Sequence, residues 1–339
     1  MPFNSAFLET AARQIEVKSV ETDYDAAFAL INKALKIVAT QTQNVNPSDV
    51  DVYIHGSYAL NTNIYFPSNL EIMVELKRTS TYDAESFPHP KYRLHNNYFI
   101  GTTFAFNPSD FYELMFSALQ ELTGRKCEAQ DKFILVPAGN NIKHALEITP
   151  CFTFNYVERT GREPVITDPT LQVQESFGER VFPGVILYDH SASSHIVTFP
   201  RLHALNGTGK DLATRGNFLR IVRMFKTLTK IGEREMEWNP TRGYFIQCLL
   251  FNVPNRLFLS NIEQTQTLDP TTTGDIDAIF YKVLNYLLNA NYDEFVCQNL
   301  VWKLFGAARE FWDPNSAKTF IKNMHELYIT FPESRTNLA

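Results

Sequence analysis

The chain has 339 residues, 44% of them apolar and 20% charged, an ordinary balance for a soluble globular protein and a length that suggests two lobes rather than one core. A formal charge of −6 argues against a general nucleic-acid binder. No apolar run reaches the ~18–20 residues of a membrane span, and the first residues lack a basic–apolar leader pattern, so no membrane partner is expected. The 27 Phe and 15 Tyr imply large aromatic cores. Four scattered cysteines (Cys127, Cys151, Cys248, Cys297) form no CxxC pair, which argues against a zinc site. In their apolar contexts they read as reduced core residues of a cytoplasmic protein.

In chain order, Ser5 to Gln41 is helical in pattern, with Phe7, Leu8, Ala11, Ala12 and Ile15 and then Ala26 to Ile37 at helical spacing. A loop at Val45–Val50 delivers a short strand, Val52-Tyr53-Ile54, followed by a Gly56-Ser57 turn. A second strand opens at Asn69-Leu70-Glu71-Ile72. Side chains alternate along a strand, so Asn69 and Glu71 share one face while Leu70 and Ile72 face the core. Glu75 shares the face of Glu71 but lies roughly 13 Å along it, and reads as a solvated or edge charge. Thr79 to His95 reads as an ordered excursion from the sheet, with Pro88 and Pro90. Pro108-Ser109-Asp110 opens a helix that Gly124 stops. Strands follow at Phe133–Val136 and Ala145–Ile148, joined by the turn 138–141, with Pro150 ending the second. That strand carries Glu147 among apolar residues, which a structural salt bridge or a metal ion would each explain.

Gly184 to Tyr188 reads as another strand and His203 to Gly207 as a turn. From Asn217 the pattern is helical, with Phe218, Ile221, Val222, Met224, Phe225 and Leu228 inward. Arg220, Arg223, Lys226 and Lys230 form a basic stripe, either a solvated face or a functional one. A further helix starts near Pro240 and stops before Pro254, and the tail from Asp275 to Tyr328 reads as more helix, including Val301, Leu304, Phe305 and Phe311.

The order of motifs is GSY with TNI and an S-x-h-E strand, an acid-h-h-P strand, an F-x-x-h-V-R-h-h-K helix and an h-h-x-x-L-h-x-N-x-P helix. Over roughly residues 5–310 this resembles the bacterial cyclic-oligonucleotide synthases related to cyclic GMP-AMP synthase, the cGAS/DncV-like nucleotidyltransferases. The resemblance implies an α+β fold, with a polymerase-beta-like sheet lobe and an N-terminal helical flank over residues 1–200. An α-helical, oligoadenylate-synthase-like lobe would take residues 201–339. It implies Mg²⁺-dependent synthesis of a cyclic di- or oligonucleotide messenger from nucleoside triphosphates (NTPs) in bacterial anti-phage signalling, with a separate effector responding to the product.

Position by position, Asn69, Glu71 and Glu147 stand where the family has three metal-binding acids for two Mg²⁺ ions, with Mn²⁺ as a substitute. Gly56 and Ser57 would grip the donor triphosphate, Lys226 would reach the phosphates and Tyr244 would stack on the donor base. Gly243 stands where many members carry Ser. The departure is the metal set, Asn-Glu-Glu instead of three Asp. Asn keeps a ligand oxygen but loses the charge, whether as a natural variant or as an inactivating substitution. A catalytically silent nucleotide-binding or sensor protein on the same scaffold, and a transferase acting on RNA or protein, therefore stand beside the synthase reading.

Overall fold

The computed structural model describes residues 10–12, 18–64, 69–83, 106–124, 126–139, 142–159, 174–176, 179–259, 276–305 and 312–330. By contact density the chain divides into two units, one of Glu16–Ala59 with Pro67–Leu202 and one of Met1–Ile15, Leu60–Phe66 and His203–Ala339.

The first unit is built on a mixed sheet. Helix α1 (Lys18–Gln41) leads through a short 3-10 turn at Pro47–Asp49 into β1 (Val50–Ile54) and a single helical turn, α2 (Gly56–Ala59). Next come β2 (Leu70–Asp83), α3 (Pro108–Thr123), β3 (Glu128–Ala129), β4 (Ile134–Val136) and β5 (Leu146–Arg159). Strands β6 (Gln174–Ser176), β7 (Glu179–Asp189) and β8 (Ser194–Thr198) complete it. The sheet order is β1-β2-β5-β4-β3, with β7 joining β5, β6 and β8. Strands β2 and β5 run parallel, and β1 is antiparallel to β2.

One face of the sheet is covered by α1 and α3. Ala27, Ile31, Ala34, Leu35 and Val38 recur on one side of α1, and Phe111, Tyr112, Met115, Ala118 and Leu119 on one side of α3. They pack with Leu70, Ile72, Val74, Leu146 and Ile148 into one core. Helix α3 starts as its sequence indicates: Asn107 and Asp110 form a reciprocal capping box, and Gly124 closes the helix at φ 67°. The opposite face carries the alternate residues of β2 and β5, and with them the chemistry.

Pro150 does not end its strand. Strand β5 changes neighbours there: Leu146–Ile148 pair with β4, and Cys151 onward pairs with β7. A missing N–H is tolerated at that handover. Glu75 is also not a solvated charge. It is 5% exposed in a central strand and accepts from Thr153 Oγ1 (2.7 Å) and Arg201 Nη2 (3.2 Å).

The second unit is helical: α4 (Pro200–Ala213, whose first residues belong to the sheet unit), α5 (Asn217–Glu235), α6 (Gly243–Phe251), α7 (Ile276–Asn289) and α8 (Pro314–Thr330). Its core joins Phe218, Ile221, Val222, Met224, Phe225 and Leu228 of α5 to α6, α7 and α8. Three expectations are corrected here. Residues 203–207 belong to a helix with Pro200 at its start, and Gly207 sits inside it because a Cβ there would strike the side chains of Gln298 and Leu60. Helix α6 begins at Gly243 rather than near Pro240. Val301, Leu304 and Phe305 lie in an irregular hairpin, where Asn299 accepts from the amides of Val301 and Trp302 and Leu304 N bonds Phe295 O. Phe311 and most of the Thr79–His95 excursion lie outside the described residues. None of the four cysteines is in a disulfide and all are buried, and no helix among the described residues is long and apolar enough to cross a membrane.

Candidate active site

The register of β2 on β5 sets the site. Glu71 and Glu147 are direct partners in the parallel pair, so successive alternation on both strands points the two carboxylates to the same face. Asn69, just before β2, donates from Nδ2 to Glu147 Oε1 at 2.8 Å. Leu70 N bonds Ala145 O, which holds the start of β2 in step with the start of β5. The three side chains that the resemblance assigns to metal positions are therefore neighbours.

Gly56 is the next piece. It adopts φ +68°, and a Cβ there would run into the Glu71 carboxylate. Glycine is needed at this position on both counts, the backbone conformation and the room for Glu71. Ser57 follows it in α2, half-buried. The residue before Gly56 was not among the expected site residues. His55 donates its backbone N–H to Glu71 O (2.9 Å), and its Nε2 lies 3.9 Å from Glu71 Oε2. The only sequence signal for it is its place between strand β1 and the Gly-Ser pair; its proximity to Glu71 follows from the β1–β2 register, which pairs Ile54 with Ile72.

The electrostatics suit a cation. Burial raises the pKa of Glu147, the Asn69 hydrogen bond opposes that, and the nearby Glu71 charge adds to the rise. Burial lowers the pKa of His55 against the pull of Glu147, which leaves a neutral imidazole near neutral pH. The donor set is two carboxylates and an amide, all hard oxygens once the amide carbonyl is turned inward, and such a set fits Mg²⁺ or Mn²⁺. Among the described residues no three His, Cys, Asp or Glu side chains form a metal-sized group; the third member here is the amide.

In the helical unit, Lys226 donates to Thr62 O at 2.6 Å. Tyr244 pairs with His203, with its hydroxyl 2.8 Å from His203 Nε2 and the ring centroids 4.5 Å apart. The basic stripe is not a uniform face. Arg223 is buried and donates to Ala12 O and Asn61 O, Arg220 donates to Asn217 Oδ1, and Lys230, exposed, pairs with Glu233.

Residues 205–329 match the family model of the cGAS/DncV-like nucleotidyltransferase C-terminal helical domain. The Cyclic UMP-AMP synthase of Rhodothermus marinus is 26% identical over 279 residues, covering 82% of this chain and 84% of that protein. The structure of the Rhodothermus marinus c-UMP-AMP synthase with Apcpp and Upnpp superposes with a TM-score of 0.70 at 25% identity, covering 97% of both chains. Residues 205–329 are thus a cGAS/DncV-like C-terminal helical domain, and the chain as a whole is similar to bacterial cyclic nucleotide synthases. The Cyclic nucleotide synthase CdnE01 of Staphylococcus haemolyticus shares 23% identity across 86% of this chain and 89% of its own length. A cyclic dinucleotide synthase of Elizabethkingia meningoseptica, solved with GTP and Apcpp, shares the fold at a TM-score of 0.67 and 20% identity, over 97% of this chain and 99% of that one. In the α+β fold shared with these proteins, the Glu71–Glu147 pair and the Gly56–Ser57 turn occupy one end of the parallel strand pair.

Proposed function

We propose that this chain is a metal-dependent nucleotidyltransferase that makes a cyclic di- or oligonucleotide messenger from NTPs in the cytoplasm. Its setting would be bacterial anti-phage signalling, with a separate effector protein as the receiver. The observation that carries the reading is the in-register pair of Glu71 and Glu147 on adjacent parallel strands, with Asn69 bonded to Glu147 at 2.8 Å. Asn69, Glu71 and Glu147 would hold two Mg²⁺ ions. Bound there, the ions supply neutralisation of the triphosphate and activation of the attacking hydroxyl. The chain's own residues do the rest. Gly56 and Ser57 contact the donor triphosphate, Lys226 offers an ammonium to the phosphates, and Tyr244 provides a ring for a base, a contact worth ~1–3 kcal/mol in comparable platforms.

The relatives of named activity are cyclic nucleotide synthases, which favours cyclisation over transfer to RNA or protein. One observation favours a second reading. The Asn69 amide spends a donor on Glu147, so a third negative charge is replaced by a group that quiets the second. On that reading the chain binds nucleotides without turning them over. Incubation with the four labelled NTPs and Mg²⁺ or Mn²⁺, with products resolved by chromatography, separates the two. A cyclic product supports the synthase, and tight NTP binding without product supports the silent binder.

A further inference from the structure

The segment from Leu60 to Ile64 directly follows α2 in the chain, belongs to the helical unit and is buried at Leu60, Thr62, Asn63 and Ile64. Backbone carbonyls in such a segment need donors, and those of Asn61 and Thr62 take them from charged side chains of α5. Arg223, 7% exposed, places Nη1 2.5 Å from Asn61 O and Nε 2.7 Å from Ala12 O. Lys226, one turn on, places Nζ 2.6 Å from Thr62 O. Gln247 of α6 adds a bond of 3.3 Å to Thr62 Oγ1, and Asn61 takes a left-handed backbone at φ 53° to present its carbonyl. Across from this seat is Gly243, the first residue of α6. A Cβ there would lie 3.2 Å from Lys226 Cε and 3.5 Å from its Nζ. The lysine stem runs over the bare backbone of Gly243.

We infer that Arg223 and Gly243 are positioning residues for Lys226: Arg223 fixes the 61–62 backbone that seats the ammonium, and Gly243 leaves the room in which the side chain reaches it. The bond to Thr62 O holds the ammonium head in place through one of its three donors. A lysine held this way meets a phosphate without first losing its rotamer freedom. The inference rests on the proposed role of Lys226 as a phosphate contact.

The test is calorimetry on the full chain with Mg²⁺ and α,β-methylene analogues of the four NTPs, comparing wild type with Lys226→Met, Gly243→Ala, Arg223→Lys and the doubles with Lys226→Met. Position 243 has no left-handed backbone and opens a helix, so Ala suits the backbone there. Arg223→Lys keeps the charge and gives up the forked bond to two carbonyls. Lys226→Met is expected to weaken analogue binding at least about tenfold, and each positioning variant about three- to fivefold. Each double variant should bind no more weakly than Lys226→Met alone, because the lost effect runs through that lysine. No analogue bound by wild type would overturn both the phosphate reading and this inference. Binding by wild type that Lys226→Met weakens, with Gly243→Ala unchanged or with losses that add in the doubles, would overturn the inference alone.

Discussion

Glu71 and Glu75 stand four residues apart on the same face of the same strand, and their surroundings are opposites. Glu75 faces Cys151 in register, accepts from Thr153, and meets the Arg201 guanidinium, which also reaches Asp51 and stacks 4.1 Å over the Tyr53 ring. Glu71 faces another carboxylate, Glu147, with an amide and a neutral imidazole beside the pair. Between the two ends lies a small apolar patch of Met73, Cys151, Val185 and Leu187. Charge at the Glu75 end is satisfied within the protein. At the Glu71 end two carboxylates stand side by side, and a cation from outside would balance them. What a strand acid does is thus decided by what the neighbouring strands bring opposite it.

The two ends should differ most in their response to substitution at Glu147. Glu147→Gln should cut turnover about a hundredfold or more, ~2.7 kcal/mol of barrier, while leaving thermal stability near wild type, because it relieves like-charge repulsion. If Glu147 were half of a buried salt bridge, the same change would instead cost ~3–5 kcal/mol of stability; urea denaturation beside a turnover assay distinguishes these. At the other end the expectation reverses. Arg201→Met leaves Glu75 buried without its cation and should destabilise the fold by about 2–3 kcal/mol, toward the low side for a broken pair because Arg201 is itself 44% exposed. Mg²⁺-linked NTP affinity should be unmoved, and a loss of metal dependence there would erase the distinction between the two ends.

A smaller effect is expected from Asn69→Asp, which adds the missing charge. Turnover should rise at least about tenfold, ~1.4 kcal/mol. Without metal the variant should melt lower than wild type, since three acids then crowd one site, and Mg²⁺ with NTP should more than restore it. An unchanged rate, with the protein folded and NTP bound, would favour the silent binder.

Asp23 of α1 sharpens the contrast as a third kind of carboxylate. It is fully buried, and burial alone would raise its pKa, but His144 Nδ1 (2.6 Å) and the amides of Lys143 and His144 (3.0 and 3.1 Å) hold it below the ordinary value. A depressed folded pKa gives stability that is present above the unfolded value and is lost as pH falls through the folded one. Asp23→Asn should therefore cost about 1–2 kcal/mol near pH 7, and the difference from wild type should shrink below about pH 4. A constant difference across that range would assign the effect to packing instead.

Much of this was legible in the sequence wherever local pattern and tertiary need agreed. The capped helix at Pro108, the inward residues of α5 and the face shared by Asn69 and Glu71 follow from periodicity and turn chemistry alone. Glu75 was misread because alternation gives a residue's face and not what lies opposite; Arg201 comes from 126 positions away. Residues 203–207 were misread as a turn because Asn and Gly are turn formers by local preference, whereas Gly207 is there to admit Gln298 and Leu60. His55 and the seat of Lys226 were invisible for the same reason, since both depend on the long-range register that packing supplies.

The central claim is that Glu71 and Glu147, with Asn69, hold divalent cations for a bound nucleotide. Counting Mn²⁺ bound in the presence of saturating α,β-methylene NTP, by electron paramagnetic resonance, tests it without requiring turnover. Wild type should take up nucleotide-dependent Mn²⁺, and Glu147→Gln, folded and equally stable, should lose most of it. Equal Mn²⁺ uptake by the two proteins would contradict the account.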